Sequence, residues 1–333
     1  MITQKIAKQL KDSCSIYSTC TQKEDEAGWL AARSKGIGGS DIGTICGVNP
    51  WSSARLLYLA KTGQYGDSDG AFDNATKERM YFGHVLEPII ADEYVQRTGN
   101  RVVSVNATFV HNKYPWALAN VDRFIVDEDN VATGVLECKS AGEYQNAKWE
   151  DGDIPLHYIY QLQWYMEITG FKQGAFAALV GGNKFHIIDV WRNDDLVKEI
   201  LERAHDFWHN NVLKLVPPEL DGADASTEYV KEQYKDVVKN SEIRLEGDVY
   251  NDLAATVIEA KAHIKKYEKI LDEASNRLKE QIGNNEIGYT NDYIVKWSPR
   301  TQNRLDTTKI KIEAPELYTK FGKTIEYRVF TVK

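Results

Sequence analysis

The stretch Val135-Leu136-Glu137-Cys138-Lys139 decides how the rest of the chain is interpreted. Side chains alternate between the two faces of a strand, so Glu137 and Lys139 point to one side and Leu136 and Cys138 to the other. A carboxylate beside an ammonium on a rigid strand suits a site that binds a divalent cation and stabilises charge on an oxygen. The same pattern occurs on solvated strands, so the remaining sequence has to separate the two interpretations.

The composition is that of a folded globular protein. The chain has 333 residues, of which 42% are hydrophobic and 27% charged, and its net charge of −8 argues against coating nucleic acid by bulk electrostatics. It contains no apolar run of about 18 residues and no signal-peptide core, so a cytoplasmic protein is expected. The four cysteines include no C-x-x-C pair, which argues against a zinc or iron–sulfur site and favours free thiols.

A glycine-rich loop lies between a helical turn ending at Arg33 and the apolar run that begins at Ile42. The residues Ser40-Asp41 are typical of a helix start with an N-cap. The exposed N–H groups of such a start can hold a phosphate, with Arg33 or Ser40 adding side-chain contacts. A purely structural capped turn fits the same residues, and both interpretations remain open at this point.

A helix is predicted over residues 80–94. Its apolar residues recur at helical spacing and predict one buried stripe: Phe82, Leu86, Ile89, Ile90 and Tyr94. Glu87 borders that stripe, and a carboxylate beside a core face needs a partner. A salt bridge or a role in a metal site would supply one. The segment 64–74 before this helix, with its glycines and aspartates, is predicted to be a loop.

A hairpin is predicted between the strand-like run 117–126 and the strand that contains Glu137, because the acidic turn 127–130 separates them. The hairpin would bring Asp122 close to Glu137. Two carboxylates that converge beside Lys139 repel each other unless a cation neutralises them. The metal-site interpretation of the opening stretch therefore gains support.

The rest of the chain is predicted to contain two more helical regions, a second hairpin and two further strands. A helix over 158–170 carries Gln161 and Gln163, which lie about 200° apart on a helix, so at most one of them faces the site. A second hairpin is predicted over 175–190. From residue 249 to 282 apolar residues step by threes and fours, which predicts a long helix with a coiled-coil or hairpin seam. Strands are predicted at 293–297 and 327–332, with a short helix at 310–321 between them.

These motifs, in this order, resemble the YqaJ-type viral recombinases, relatives of the phage lambda exonuclease in the PD-(D/E)xK nuclease superfamily. The resemblance rests on the Gly-Ser-Asp loop, the Gly-x-x-x-Glu-Pro helix, the Val-Asp hairpin, the Glu-x-Lys strand and the Gln-x-Gln helix, and covers about residues 26–210. It implies an α/β (α+β) fold, with a restriction-endonuclease-like core whose central mixed β-sheet is flanked by helices. The C-terminal long helix and small β appendage lie outside the resemblance.

The predicted domain organisation follows from the resemblance and from the change in composition near residue 219. An N-terminal segment (1–25) precedes the exonuclease domain (26–215). A linker (216–240) then leads to a helical and β appendage (241–333), which is expected to form the contact between subunits of an oligomer or the contact with a partner.

Residue by residue, the resemblance implies that Asp122, Glu137 and Glu87 bind Mg²⁺, with two ions expected and Mn²⁺ as a substitute. Lys139 would contact the attacking water or the scissile phosphate. The family positions that hold a 5′-terminal phosphate match a further set of residues: Arg33, Ser40 and Gln161. Two departures occur, since Val121 replaces a proline and Asn120 replaces an expected serine. Asn120, which replaces the serine, and Gln163 of the Gln-x-Gln helix are additional candidates for contacts with the phosphate or the DNA.

The implied function is a Mg²⁺-dependent exonuclease that degrades linear double-stranded DNA from 5′-phosphorylated ends and leaves 3′ overhangs for recombination by strand annealing. Implied partners are DNA ends, a single-strand annealing protein and further copies of the chain in an oligomer, such as a trimeric ring. A phage or prophage gene product in the bacterial cytoplasm is expected. Two alternatives remain: an endonuclease with the same site, and a non-catalytic DNA-end or recombination scaffold. The scaffold is disfavoured because all four residues implied to be catalytic are present: Glu87, Asp122, Glu137 and Lys139.

Overall fold

A computed structural model describes residues 2–21, 24–64, 74–323 and 327–333. The loop predicted over 64–74 therefore lies almost wholly outside the described residues. The chain divides into two compact units, Met1–Gln233 and Tyr234–Lys333. Among the described helices, none is long and apolar enough to cross a membrane.

The first unit combines helices with mostly short strands. Its helices are α1 (Ile2–Gln9), α2 (Glu26–Ser34), α3 (Gly39–Ile45), α4 (Ala54–Lys61), α5 (Asn74–Thr98), α6 (Asn146–Glu150), α7 (Leu156–Thr169), α8 (Asp194–Asp206) and α9 (Asp224–Gln233). Its strands are β1 (Cys14–Ser18), β2 (Arg101–Val103), β3 (Thr108–His111), β4 (Leu118–Ala119), β5 (Arg123–Val126), β6 (Ala132–Ala141), β7 (Gln173–Val180) and β8 (Lys184–Trp191). A π-helical turn, Phe207–Val212, extends α8.

The central sheet has five strands in the order β2-β5-β6-β7-β8. Strands β6 and β7 run parallel, and the other neighbouring pairs run antiparallel. Both predicted hairpins, β5–β6 and β7–β8, are confirmed. The parallel pair needs a crossover connection, and α6 and α7 supply it. The predicted α/β fold with a central mixed sheet flanked by helices is confirmed.

Helices cover both faces of this sheet, so the alternating side chains of β6 meet a different helix on each face. Leu136 and Cys138 pack with Ile90 and Tyr94 of α5 on one face. On the other face Val135 joins the larger core, which includes Leu162 of α7. Glu137 and Lys139 share the face of Val135 by alternation, so they point towards α7.

A three-stranded sheet, β1-β3-β4, lies beside the central sheet within the same unit. Residues 14–18, from the segment predicted to precede the domain, pair with β3. Helix α9, from the segment predicted as a linker, contacts α4, and Tyr229 packs against the main core. Both flanking segments thus contribute structure to the first unit.

The strand predicted over 117–126 is interrupted, and the interruption positions the site. Residues 118–119 form β4 and pair with β3, whereas residues 123–126 form β5 and pair with β6. The chain leaves one sheet and enters the other at residues 120–122. Asp122 therefore stands at the start of β5, where its side chain is not committed to the alternation of a continuous strand.

The buried stripe predicted on α5 is only partly correct. Ile90 and Tyr94 are buried, but Phe82 is 49% and Ile89 is 56% exposed. The contacts of α5 with the sheet lie at its C-terminal half, where Leu86, Ile90 and Tyr94 face β6. Phe82 precedes the part of α5 that packs on the sheet, and Ile89 lies on a different face of the helix from Leu86 and Ile90.

In its described residues, the second unit has a long helix, a two-stranded hairpin and two short helices. These elements are α10 (Asp248–Ile282), β9 (Ile287–Tyr289), β10 (Ile294–Lys296), α11 (Thr307–Glu313) and α12 (Pro315–Phe321). The strand predicted at 293–297 is found as β10, but its partner is β9. The prediction of a strand at 327–332 is wrong, because these residues form no ladder with any described strand.

Candidate active site

Glu137 and Lys139 form the centre of the site. Lys139 Nζ donates to Glu137 Oε1 at 2.6 Å, and Gln161 Nε2 on α7 donates to the same oxygen at 2.7 Å. The second oxygen, Glu137 Oε2, is buried without a hydrogen-bond partner. A buried carboxylate oxygen without a partner is costly, so this atom marks where a further positive group would bind.

Asp122 approaches Glu137 from the neighbouring strand. Its Oδ2 accepts a hydrogen bond of 2.9 Å from the backbone N–H of Cys138, which lies between Glu137 and Lys139. Burial, followed by the negative charges of Glu137 and Glu87, raises the pKa of Asp122 well above its usual range. Burial also raises the pKa of Glu137, although Lys139 opposes the change. The strain between these carboxylates would be relieved by a cation.

Glu87 reaches the site from α5 and forms a salt bridge with Arg123 of β5. Arg123 Nη1 donates to Glu87 Oε1 at 2.5 Å and to the backbone carbonyl of Asp122 at 2.6 Å. Of the two partners considered from sequence, a salt bridge or a metal, the structure shows the salt bridge. Because Asp122 is influenced by both Glu87 and Glu137, the three carboxylates nevertheless share one region.

Lys139 is held in its charged form. Burial acts to lower the pKa of Lys139, but the charges of Glu137 and Asp122 outweigh burial and raise it above its usual value. Its ammonium lies 4.6 Å from the centroid of the Tyr158 ring, where a cation–π contact adds to the stabilisation. Lys139 also donates to Gln161 Oε1 at 3.1 Å. A charged ammonium here suits electrostatic stabilisation better than proton abstraction.

The loop between α2 and α3 is fixed by a buried ion pair. Lys61 Nζ on α4 lies 2.7 Å from Asp41 Oδ2 and donates to the Arg33 carbonyl at 3.0 Å. Asp41 also accepts a bond from Gly38 N at 2.9 Å, so α3 starts at Gly39 rather than at the predicted Ser40-Asp41 cap. Burial would raise the pKa of Asp41, but Lys61 and Arg33 outweigh it and lower the value.

Arg33 and Ser40 stand together at this loop. Arg33 Nη2 donates to Ser40 Oγ at 2.9 Å, and the guanidinium carbon lies 4.6 Å from the centroid of the Trp29 ring. Trp29 and Arg33 are on the same face of α2, four residues apart. The two groups therefore form a preassembled pair of a cation and a hydroxyl donor.

Gly39 connects that loop to the centre of the site. A Cβ atom at Gly39 would lie 2.4 Å from the Tyr165 ring and 3.1 Å from Gln161 Cγ, so only glycine permits this close approach. Gln161 Nε2 in turn donates to Tyr165 Oη at 3.0 Å and to Glu137 Oε1. The Arg33–Ser40 pair and the carboxylates thus belong to one continuous network.

The two remaining candidates lie outside the network. Asn120 Nδ2 donates to Thr108 Oγ1 of β3 at 2.9 Å. Gln163 donates to the Trp191 carbonyl at 2.9 Å and accepts from Asn193 N at 2.8 Å. The prediction that at most one of Gln161 and Gln163 faces the site is confirmed, and Gln161 is that residue.

The oxygen-rich donors fit a hard divalent cation, but they are not assembled as a finished metal site. Across the described residues, no three Asp, Glu, His or Cys side chains converge as ligands of one ion. The reason is visible in the contacts, since Arg123 holds Glu87 while Lys139 and Gln161 hold Glu137 Oε1. The unpartnered Glu137 Oε2 and the neighbouring Asp122 carboxylate are the atoms that fit Mg²⁺ best.

Sequence reasoning missed three residues of this site. Arg123 directly follows Asp122, and Tyr165 follows Gln161 by one helical turn, so their positions beside the candidates were readable. Lys61 carries no such signal, because it meets Asp41 only through the packing of α4 on α3.

The mixed sheet thus brings Asp122, directly before β5, and Glu137 of β6 together beside the strand lysine Lys139. The model of the YqaJ-like viral recombinase domain matches residues 28–172. The uncharacterized protein YqaJ of Bacillus subtilis (strain 168) is 36% identical over 307 residues, which are 92% of this chain and 93% of that protein. The chain therefore belongs to the YqaJ-like viral recombinase family, as the motifs predicted.

Two solved structures are also similar. An alkaline exonuclease (LHK-Exo) from Laribacter hongkongensis is 22% identical, with a TM-score of 0.45 over 62% of this chain and 97% of that chain. The same enzyme in complex with dAMP is 21% identical over the same shares, with a TM-score of 0.45.

Proposed function

We propose that this protein is a Mg²⁺-dependent exonuclease that degrades linear double-stranded DNA from 5′-phosphorylated ends and leaves 3′ single-stranded overhangs. The observation that carries the proposal is the buried, unpartnered Glu137 Oε2, on a carboxylate whose other oxygen binds Lys139 and whose charge helps to raise the pKa of Asp122. Such a site is electrostatically incomplete without a cation. Family membership supports a role in recombination.

Asp122 and Glu137 would hold the metal, and Glu87 would complete the site once Arg123 releases it. Two ions are proposed, and Mn²⁺ is expected to substitute because it accepts the same oxygen ligands. When bound, such ions activate water and neutralise the charge that develops on the phosphate. The carboxylates of the chain position them.

Lys139 would stabilise the negative charge that builds on the scissile phosphate or on the attacking water. Its ammonium is fixed on three sides, by Glu137 Oε1, by Gln161 Oε1 and by the Tyr158 ring. A fixed charge needs no reorganisation during the reaction, which is the main source of electrostatic catalysis. Gln161 holds Glu137 and Lys139 in register.

Arg33 and Ser40 would bind the 5′-terminal phosphate, and Gln161 would join them by releasing one of its Nε2 bonds to Glu137 and Tyr165. The guanidinium and hydroxyl of the first two already form a hydrogen bond, and Gly39, the residue before Ser40, packs against Gln161. A guanidinium pairs well with a phosphate through parallel hydrogen bonds. Holding the terminal phosphate next to the carboxylates would set the distance between the 5′ end of the DNA strand and the bond that is cut.

Association with DNA ends, with a single-strand annealing protein and with further copies of the chain in an oligomer completes the proposal, as does production in a bacterial cell from a phage or prophage gene. These parts rest on the family alone. A ring of subunits would enclose the DNA, and the net charge of −8 would limit unproductive binding elsewhere on the duplex.

The test uses linear duplexes with 5′-phosphate or 5′-hydroxyl ends and a closed circular duplex, each with Mg²⁺ or with chelator. We expect rapid loss of the 5′-phosphorylated substrate in Mg²⁺, slow loss of the 5′-hydroxyl substrate, and an intact circle. Lys139→Ala should lower the rate on the order of 1,000-fold, whereas Lys184→Ala, which removes an exposed lysine paired with Glu143, should not.

Each failure has a distinct meaning. Full activity in Lys139→Ala would remove the catalytic proposal. Equal degradation of both linear ends would remove the phosphate site at Arg33 and Ser40 while leaving the nuclease. Digestion of the circle would replace the exonuclease with an endonuclease.

A further inference from the structure

The long helix α10 exposes an apolar seam along its whole length. A heptad repeat, with positions a and d apolar, runs through these residues: Tyr250, Leu253, Val257, Ala260, Ile264, Tyr267, Leu271, Ala274 and Leu278. Ile264, Tyr267 and Leu271 at its centre are 57%, 63% and 64% exposed. An unbroken 3-4 spacing of this length is typical of a helix that pairs with another helix.

The described part of the second unit does not cover this seam. Ile282, at the C-terminal end, is the one residue of α10 that is buried there. The neighbouring helices α11 and α12 have seven residues each, too short to pair along a 35-residue helix. An exposed helix with so long an apolar stripe is poorly stabilised alone, because helices in proteins depend on packing of that stripe.

We propose that the partner is a second copy of this chain, paired through α10 in the antiparallel sense. The alternation of large and small residues along the seam gives the direction. In an antiparallel pair with Ile264 opposite Tyr267 of the second copy, Leu271 lies opposite Ala260 and Val257 lies opposite Ala274. Each alanine then receives a large side chain, which fills the layer.

A parallel pair lacks this fit. It would place each residue opposite the same residue of the second copy, so Ala260 would meet Ala260 and Ala274 would meet Ala274. Two of the layers would be underfilled while Tyr267 would meet Tyr267, and such gaps forfeit packing energy. The seam is therefore self-complementary only when one copy is reversed.

Charges beside the seam agree with this direction. Lys261 and Glu268 both follow a d position, and in the antiparallel pair Lys261 of each copy lies beside Glu268 of the other. The parallel pair would instead place Glu268 beside His263. The Lys261 ammonium now lies 5.9 Å from the centroid of the Phe330 ring and is exposed, so it is free to reorient. Complementary flanking charges are what fix orientation in helix pairs.

This inference does not depend on the proposed nuclease function, because it concerns only the second unit. It assigns α10 as a dimerisation element that joins two copies independently of any contacts made by the nuclease unit. The pairing through α10 and the proposed nuclease function can therefore be disproved separately.

Sedimentation equilibrium of the full chain tests the pairing. Ala260→Asp/Ala274→Asp places charges in the seam, and Ala255→Asp/Ala262→Asp places the same charges on the opposite face of the same helix. We expect the seam variant to dissociate on the order of 100-fold more readily, and the opposite-face variant to match the unsubstituted chain. Equal association of all three chains would overturn the proposal, whether the seam stays bare or serves a different protein.

Cysteine cross-linking tests the direction. A mixture of Ala260→Cys and Leu271→Cys chains should form a disulfide-linked dimer under mild oxidation, above the background of the unsubstituted chain with its four cysteines. Neither variant alone should do so. Cross-linking of Leu271→Cys alone would show a parallel pair and overturn the antiparallel assignment.

A charge exchange gives a second, independent readout. Lys261→Glu and Glu268→Lys should each weaken association, and the double exchange should restore it, because the antiparallel pair brings these two positions together. Absence of rescue in the double variant would contradict the assigned register even if the helices pair.

Discussion

Arg123 forms a salt bridge with Glu87 at 2.5 Å, and so a guanidinium stands where the proposed site needs a metal ion to bind a carboxylate. Arg123 is attached to β5 directly after Asp122, and its second bond is to the Asp122 carbonyl. The side chain thus neutralises part of the acidic cluster in the absence of a cation. If Glu87 is a metal ligand, as proposed, the ion would compete with Arg123 for Glu87 Oε1.

Substitution of Arg123 should therefore strengthen metal binding. In Arg123→Gln, we expect the Mg²⁺ concentration for half-saturation to fall about fivefold to tenfold, because removing one nearby positive charge is worth about 1 kcal/mol at a partly exposed site. Isothermal titration with Mg²⁺ measures the affinity without requiring turnover. Arg97→Gln, which breaks the 2.6 Å pair with Glu93 on the same helix, is the matched control and should leave the affinity unchanged. Weaker Mg²⁺ binding in Arg123→Gln would show that Arg123 supports the site instead of competing for it.

Asp122→Asn should trade activity for stability. The amide oxygen can still accept from Cys138 N, but the like-charge repulsion with Glu137 and Glu87 disappears. We expect the metal-free variant to be more stable by about 1 kcal/mol, and its nuclease activity to be lost. Urea denaturation with and without Mg²⁺ checks this, since Mg²⁺ should stabilise the unsubstituted chain and not the variant.

The control for Asp122→Asn is Asp129→Asn, which changes a carboxylate in the exposed β5–β6 turn. It should keep both the activity and the stabilisation by Mg²⁺. A metal-free Asp122→Asn chain less stable than the unsubstituted chain would mean that the carboxylate contributes more through hydrogen bonding than it loses through repulsion.

The parts of the site that could be predicted from sequence depend on local periodicity. The alternation of β6 placed Glu137 and Lys139 on one face, the short acidic turn brought Asp122 next to that strand, and helical spacing separated Gln161 from Gln163. Each of these follows from strand or helix geometry within about 20 residues.

The parts that could not be predicted depend on packing between distant elements. Lys61 meets Asp41 because α4 packs on α3, and Arg123 meets Glu87 across 36 residues because α5 packs on the sheet. The switch of the chain from β4 to β5 has the same origin, since the strand-like run 117–126 is divided between two sheets. Phe82 is exposed because it precedes the part of α5 that packs on the sheet, whereas Ile89, between the sheet-facing Leu86 and Ile90, is exposed on another face of the helix.

Gly39 should be irreplaceable although its neighbour Gly38 is not. A Cβ at Gly39 would lie 2.4 Å from the Tyr165 ring, whereas the nearest side-chain atom to a Cβ at Gly38 is Asp41 Oδ2 at 3.7 Å. Gly39→Ala should lower the free energy of unfolding by about 1–3 kcal/mol and reduce the preference for 5′-phosphorylated ends. Gly38→Ala should change both much less. Denaturant unfolding and end-labelled substrates measure the two effects, and equal behaviour of the variants would show that the loop adjusts freely.

His157 should make the protein acid-sensitive. Burial, followed by the positive charge of Lys139, lowers the pKa of His157 from 6.5 to about 4. The folded state thus disfavours the proton that the unfolded chain accepts, so the stability contributed by neutral His157 is complete above pH 6.5 and is lost as the pH falls towards 4. We expect His157→Gln to flatten the dependence of the melting temperature on pH over this window. His263→Gln, which replaces an exposed histidine on α10, should leave the dependence unchanged. If the His157→Gln chain loses stability on acidification as steeply as the unsubstituted chain does, the acid sensitivity originates in other groups.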